Sequence, residues 1–186
     1  MSKQILVLKS SPRVNGNSNA LAEQVVSGAR EVGAEVESLM LHDMNIQPCD
    51  ACETCQETGV CIVKDDMQKI YPLLEKADAI VLASPIYYFT LNAQAKLVIE
   101  RFYAFETEQG NSLGGKEIGI ILTYGDTDLH NSGGINAIRT LEDIFHYIGA
   151  KIVGIVHGTA DEVGDAEKEP ELMERAYKLG QKLAAV

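Results

Sequence analysis

The sequence has no cysteine outside residues 49–61, and within them it has four. No apolar run approaches the roughly 20 residues of a membrane span. There is no basic excess either: 16 Lys and Arg stand against 27 Asp and Glu, a net charge of −11. That balance argues against a nucleic-acid binder and against an anionic-membrane binder. No short-period repeat, low-complexity tract or linker interrupts the chain, and Met1-Ser2-Lys3-Gln4 lacks a signal-peptide pattern. The expectation is a soluble, acidic, cytoplasmic protein forming one domain over residues 1–186. At 46% hydrophobic residues such a chain can bury a sizeable core.

Several motifs are also missing. Without G-x-x-x-x-G-K-[ST] or G-x-G-x-x-G after the first strand, a Walker loop and a Rossmann-type dinucleotide site are disfavoured. Without G-x-S-x-G, so is an α/β-hydrolase. His42, His130, His146 and His157 form no H-x-x-x-H or H-E-x-x-H pair and are expected in loops or at the surface.

What is present is a five-fold alternation of short apolar strands with amphipathic helices. Strands are expected at Lys3–Lys9, Ala34–Leu41, Asp78–Ala83, Glu117–Thr123 and Ala150–His157. Helices are expected at Asn19–Glu31, Asp66–Lys76 with a kink or break at Pro72, Asn92–Tyr103, Ile135–Ile148 and Glu171–Ala185. Near-continuous apolar strands alternating with helices predict an α/β fold, a parallel sheet covered on both faces. Five strands favour a flavodoxin-like three-layer sandwich in the order 2-1-3-4-5, with ligands at the carboxyl ends of the strands.

Three loops lie at those ends. The first, Ser10-Ser11-Pro12-Arg13-Val14-Asn15-Gly16-Asn17-Ser18-Asn19, runs into a helix whose N-terminus offers N–H groups to a phosphate. The hydroxyls of Ser10, Ser11 and Ser18, the amides of Asn17 and Asn19, and the cation of Arg13 add donors. The competing reading is a helix cap, since Ser and Asn favour caps. The second loop, Ser84-Pro85-Ile86-Tyr87-Tyr88-Phe89-Thr90, places three aromatics in a row as a stacking platform for a planar ring, or as a local hydrophobic cluster. The third, Thr123-Tyr124-Gly125-Asp126, has a glycine that lets backbone approach a ligand. A phosphate seat beside an aromatic platform points to flavin mononucleotide.

Ser10-x-x-Arg13-x-x-Gly16-Asn17-Ser18, Cys49-x-x-Cys52-x-x-Cys55-x5-Cys61, Asp65-Asp66-Met67, Pro85-x-Tyr87 and Lys96-x-x-x-x-Arg101 together resemble the iron–sulfur flavoprotein branch of the NADPH-dependent FMN reductase family. The resemblance covers nearly the whole chain; Glu100 stands where many members carry Asp. It implies a flavodoxin-like fold, bound FMN, a homodimer or homotetramer, and electron transfer from a reduced donor. By resemblance, Ser10, Arg13, Asn17 and Ser18 hold the FMN phosphate. Pro85, Ile86 and Tyr87 line the isoalloxazine, and Thr123, Gly125 and Asp126 lie at its other edge. Hydride transfer needs no side-chain acid or base, so no catalytic residue is assigned.

The cysteines occupy a long connection from about residue 42 to 64. Four thiolates in one tight run suit a [4Fe–4S] cluster, whereas zinc commonly uses two separated pairs. Unligated or redox-active thiols are the competing reading, because the wider family includes flavin-only members with similar cysteines. Asp65 is expected as a helix cap, with Gln68 three residues on. Two functions follow. One is an enzyme passing electrons from NAD(P)H to a quinone, a free flavin or another small acceptor. The other is an electron carrier serving a ferredoxin-type partner, favoured if a cluster divides the flavin's two-electron chemistry into single steps.

Overall fold

The first strand explains why the sheet is buried on both sides. In the computed structural model, which describes residues 2–185, β1 (Gln4–Lys9) sends Leu6 and Leu8 to one face and Ile5 and Val7 to the other. All four are at most 2% exposed. The chain continues through α1 (Asn17–Glu31), β2 (Glu35–Met40), α2 (Thr54–Thr58), α3 (Met67–Lys76), β3 (Ala79–Tyr87) and β4 (Thr90–Leu91). It then forms α4 (Ala93–Glu100), β5 (Glu106–Thr107), β6 (Gly110–Asn111), β7 (Glu117–Tyr124), α5 (Gly134–Ile148), β8 (Lys151–Thr159) and α6 (Pro170–Ala184).

The five long strands pair in parallel in the order β2-β1-β3-β7-β8. This is the expected flavodoxin-like order. One face packs Leu6, Ile80, Leu82, Ile120 and Leu122 against Ile70 and Leu74 of α3, Val98 of α4, and Leu141 and Phe145 of α5. The other packs Val7, Val81 and Ile121 against Leu21 and Val25 of α1 and Leu179 and Leu183 of α6. Each fully buried aliphatic side chain contributes roughly 1.5–3 kcal/mol, so two such layers hold the strand ends in fixed relation.

The departures from expectation lie at element ends. β3 runs four residues beyond Ala83, to Tyr87, because Ser84 and Pro85 still pair with Leu122 and Thr123 of β7 and Ile86 and Tyr87 pair with Leu91 and Thr90. It then turns back at Tyr88-Phe89 into β4, so the segment expected as an open loop is a β-hairpin. α3 passes through Pro72 without a break. α4 ends at Glu100 and continues as a 3-10 turn over Arg101–Phe105. The short α2 lies inside the cysteine connection, where only loop was expected. Among the described residues no helix is long and apolar enough to cross a membrane.

Candidate functional site

A cleft opens at the carboxyl ends of β1, β3 and β7, where the sheet topology brings three separate loops together. Ser11, Arg13, Gly16, Asn17 and Ser18 form one wall, and Pro85, Ile86 and Tyr87 form the second. Thr123, Tyr124 and Gly125 form the third, and Ala160 and Asp161 close the cleft beyond β8.

The first wall is a helix start with unused donors. Gly16 is the N-cap of α1 and no side chain caps the helix, so the cap reading of the Ser and Asn residues does not hold here. The first turn leaves N–H groups at Asn17 and Ser18 without intrahelical acceptors. Ser18 is 1% exposed, yet its Oγ has no hydrogen-bond partner. A buried, unpaired hydroxyl costs free energy, and an anionic oxygen seated on this helix end would relieve that cost. Gly16 is required at the turn, because a Cβ there would stand 2.5 Å from Ser11 Oγ and 2.9 Å from the Arg13 carbonyl oxygen. These features fit a phosphate monoester of the kind FMN carries.

Several residues expected at the ligand have other partners. Ser10 is fully buried behind the cleft, its Oγ 2.9 Å from the Ala83 carbonyl oxygen and 2.7 Å from Asn92 Oδ1. Asn92 Nδ2 donates back to the Ser10 carbonyl at 2.6 Å. Asn92 also caps α4, its side chain accepting from Ala95 N. Ser10 therefore joins β1, β3 and α4 and does not line the cleft. Asn19 does not line it either; its Nδ2 donates to the carbonyls of Arg13 and Val14 and braces the loop from behind. Asn17 lines the cleft but is engaged with residues 162–166. Its Nδ2 donates to the Glu162 carbonyl at 2.8 Å, and its Oδ1 accepts from Gly164 and Ala166 N–H. That stretch is thereby drawn onto the site.

The aromatic platform also divides. Tyr87 faces the cleft, Tyr88 is 97% exposed, and Phe89 packs on Gly133, where a Cβ would meet Phe89 Cα at 2.4 Å. Successive strand side chains point to opposite faces, and the turn swings Tyr88 outward. Tyr88 and Phe89 both have positive φ, at 47° and 66°, a conformation that costs non-glycine residues about 1–3 kcal/mol each. At the third wall, Asp126 is exposed and bonds to Thr127 outside the cleft lining. Gly125 does permit a close approach, but the group against it is Asp161, whose Oδ1 would stand 2.6 Å from a Cβ there. Asp161, Ala160 and Tyr124 were not anticipated as lining residues.

Tyr124 has a further partner. Its hydroxyl lies 2.9 Å from His157 Nδ1, so His157 is half-buried in β8 rather than a loop or surface residue. Burial, and then Arg175, push its pKa down; burial and then Asp128 push the Tyr124 pKa up.

The cysteine loop is tied at its base. Asp66 N–H donates to the Asn45 carbonyl at 2.9 Å, and Asn45 N–H donates to Asp66 Oδ2 at 2.8 Å. Gln68 Nε2 donates to the carbonyls of Cys61 and Val63, so it straps the loop and forms no capping box. Asp65 Oδ1 does accept from Met67 N–H at the start of α3. It also pairs with the buried Arg101, at 2.6 and 3.3 Å. Arg101 Nη2 lies 3.3 Å from Cys61 Sγ. Burial lowers the Arg101 pKa, but Asp65 and Tyr71 more than offset it and hold the guanidinium charged.

All four cysteines are free thiols: Cys55 buried, Cys49 and Cys61 partly buried, Cys52 exposed. Ala51 and Glu53, flanking Cys52, have positive φ of 55° and 60°. Among the described residues no three His, Cys, Asp or Glu side chains form a group that could hold a metal ion. A cubane instead takes each thiolate at a separate iron, and four free thiols around one loop are the donor set it uses.

A parallel sheet in flavodoxin-like order, with an anion-ready helix start beside an aromatic wall, defines a flavodoxin-like protein. Residues 4–163 match the family described as NADPH-dependent FMN reductase. The chain is 29% identical to an iron–sulfur flavoprotein of Methanocaldococcus jannaschii, over 98% of this chain and 96% of that protein. It is 31% identical to an iron–sulfur flavoprotein of Archaeoglobus fulgidus, over 94% of this chain and 76% of that protein. An NAD(P)H:quinone oxidoreductase from Methanothermobacter marburgensis superposes with a TM-score of 0.81 at 18% identity, covering 100% of this chain and 99% of the other. The chain belongs to the NADPH-dependent FMN reductase family, in its iron–sulfur flavoprotein branch, and is an FMN-type oxidoreductase.

Proposed function

We propose that the protein takes electrons from NAD(P)H or a reduced protein donor onto FMN and passes them to a small acceptor such as a quinone or free flavin. The observation that carries this reading is the buried, unpartnered Ser18 hydroxyl at the open start of α1. When bound, FMN supplies hydride and single-electron chemistry. Ser18, the first-turn N–H groups and Arg13 hold its phosphate, and Ser11 shapes the loop beside them. Pro85, Ile86 and Tyr87 form one wall for the ring system, with Thr123 and Gly125 opposite. Asn17 fastens residues 162–166 beside the phosphate end.

In the same proposal Cys49, Cys52, Cys55 and Cys61 hold a [4Fe–4S] cluster, as the names of the two archaeal relatives encourage. The αL residues around Cys52 support it, since such winding recurs at iron–sulfur sites. The exposure of Cys52 favours the second reading, an electron carrier meeting a ferredoxin-type partner at this loop. Assembly as a homodimer or homotetramer belongs to the same proposal. The test is anaerobic oxidation of NADPH by the purified protein, with a quinone or free flavin as acceptor. Rapid turnover supports the reductase. Reduction through ferredoxin alone assigns the carrier, and reduction by neither overturns both.

A further inference from the structure

Among the described residues Arg101 is the largest fully buried side chain, and its contacts converge on the cysteine loop. Nη1 donates to the Gln47 carbonyl at 2.9 Å and to Asp65 Oδ2 at 2.6 Å. Nη2 reaches Cys61 Sγ and Asp65 Oδ1, each at 3.3 Å, and Nε donates to the Tyr71 hydroxyl at 3.1 Å. Gln47 precedes the first cysteine and Asp65 follows the last, so one planar guanidinium clamps both ends of the loop while touching one of its sulfurs. Burying an ion pair seldom adds net stability over apolar packing, so stability alone does not explain why this pair sits against a thiol. Lysine could not reproduce the arrangement, because it lacks the rigid five-donor fork.

We propose that Arg101 is a positioning residue for the cysteine centre, donating an N–H···S hydrogen bond to Cys61 that raises the reduction potential of the cluster Cys61 helps to hold. The inference rests on the reading of residues 49–61 as cluster ligands. Reduction adds one electron to the cluster, breaks no bond and needs no proton. The added negative charge is shared with the ligand sulfurs, and a donor aimed at one of them stabilises the reduced form. Asp65 balances the guanidinium charge, so the directed hydrogen bond carries most of the effect.

The test begins with iron and acid-labile sulfide in anaerobically prepared wild-type protein, and continues with the cluster potential, titrated with dithionite, in the wild type and in Arg101→Lys. The lysine variant keeps a cation for Asp65 but loses the donor to Cys61. Its one-electron reduction equilibrium should fall at least tenfold, about 59 mV, with FMN content unchanged. A second measurement needs no variant. With nitrogen-15 in the arginine guanidinium groups, pulsed electron paramagnetic resonance of the reduced wild-type cluster should show a nitrogen-15 coupling. No such coupling, or an unmoved potential in folded Arg101→Lys, overturns the inference and leaves the cluster in place. Wild-type protein without sulfide-bound iron overturns both.

Discussion

Asp65 and Arg101 meet in a bidentate ion pair with their side chains 0% and 1% exposed, although they are 36 residues apart in sequence. The pair joins the end of the cysteine loop to the turn after α4, and both charges depend on each other.

Asp65→Ala removes the carboxylate that pairs with the buried Arg101 cation. The expected loss is about 3–5 kcal/mol of folding stability, read by urea denaturation of the FMN-loaded protein. Adding Arg101→Met to Asp65→Ala should restore part of it, because the unpaired charge is then gone. A double variant no more stable than Asp65→Ala would count against this coupling.

Ser18→Ala separates ligand binding from folding. The Ser18 hydroxyl has no protein partner, so the FMN-free protein should be as stable as the wild type or slightly more so. A hydrogen bond to a charged phosphate contributes about 1.5–3 kcal/mol, so FMN should bind roughly 10- to 100-fold more weakly. Isothermal titration with FMN checks it. Unchanged affinity would remove Ser18 from the site.

His157 gives the fold an acid-sensitive component. Burial lowers its pKa in the folded protein, while the unfolded chain titrates near the ordinary value of about 6.5. Its contribution is therefore complete above about pH 6.5 and is lost as pH falls toward the depressed folded value. His157→Gln should show a smaller fall in melting temperature between pH 7.5 and 5.5 than the wild type. An equal fall would assign the acid sensitivity to other groups.

Tyr88→Asn should stabilise the protein by about 1 kcal/mol, since asparagine tolerates the left-handed conformation that tyrosine resists. Tyr88 is almost wholly exposed and outside the cleft, so FMN affinity should not change. Thermal denaturation and the FMN titration check the two halves.

The five-strand sheet was legible because β1, β3 and β7 are near-continuous apolar runs, which only a sheet covered on both faces accommodates. The loops of the site followed from topology, since strand order alone brings the ends of β1, β3 and β7 together. Individual side-chain directions did not. Ser10 reads like Ser11 and Ser18 in sequence, and only the fold shows that Asn92, 82 residues later, claims its hydroxyl. The turn at Tyr88-Phe89 carried no glycine or asparagine to mark it, so the hairpin was invisible and the three aromatics read as one surface. Asp161 and Arg101 act across 148 and 36 residues, and no local pattern reports a contact at that range. Arg101 did stand in the family pattern, but its partners required the structure.

The most direct test of the central claim is an ultraviolet–visible spectrum of the protein purified without oxygen, with FMN and acid-labile sulfide measured per chain. The account predicts flavin bands on a broad absorbance that bleaches on reduction, with FMN and sulfide both bound. A colourless protein that does not take up added FMN would contradict it.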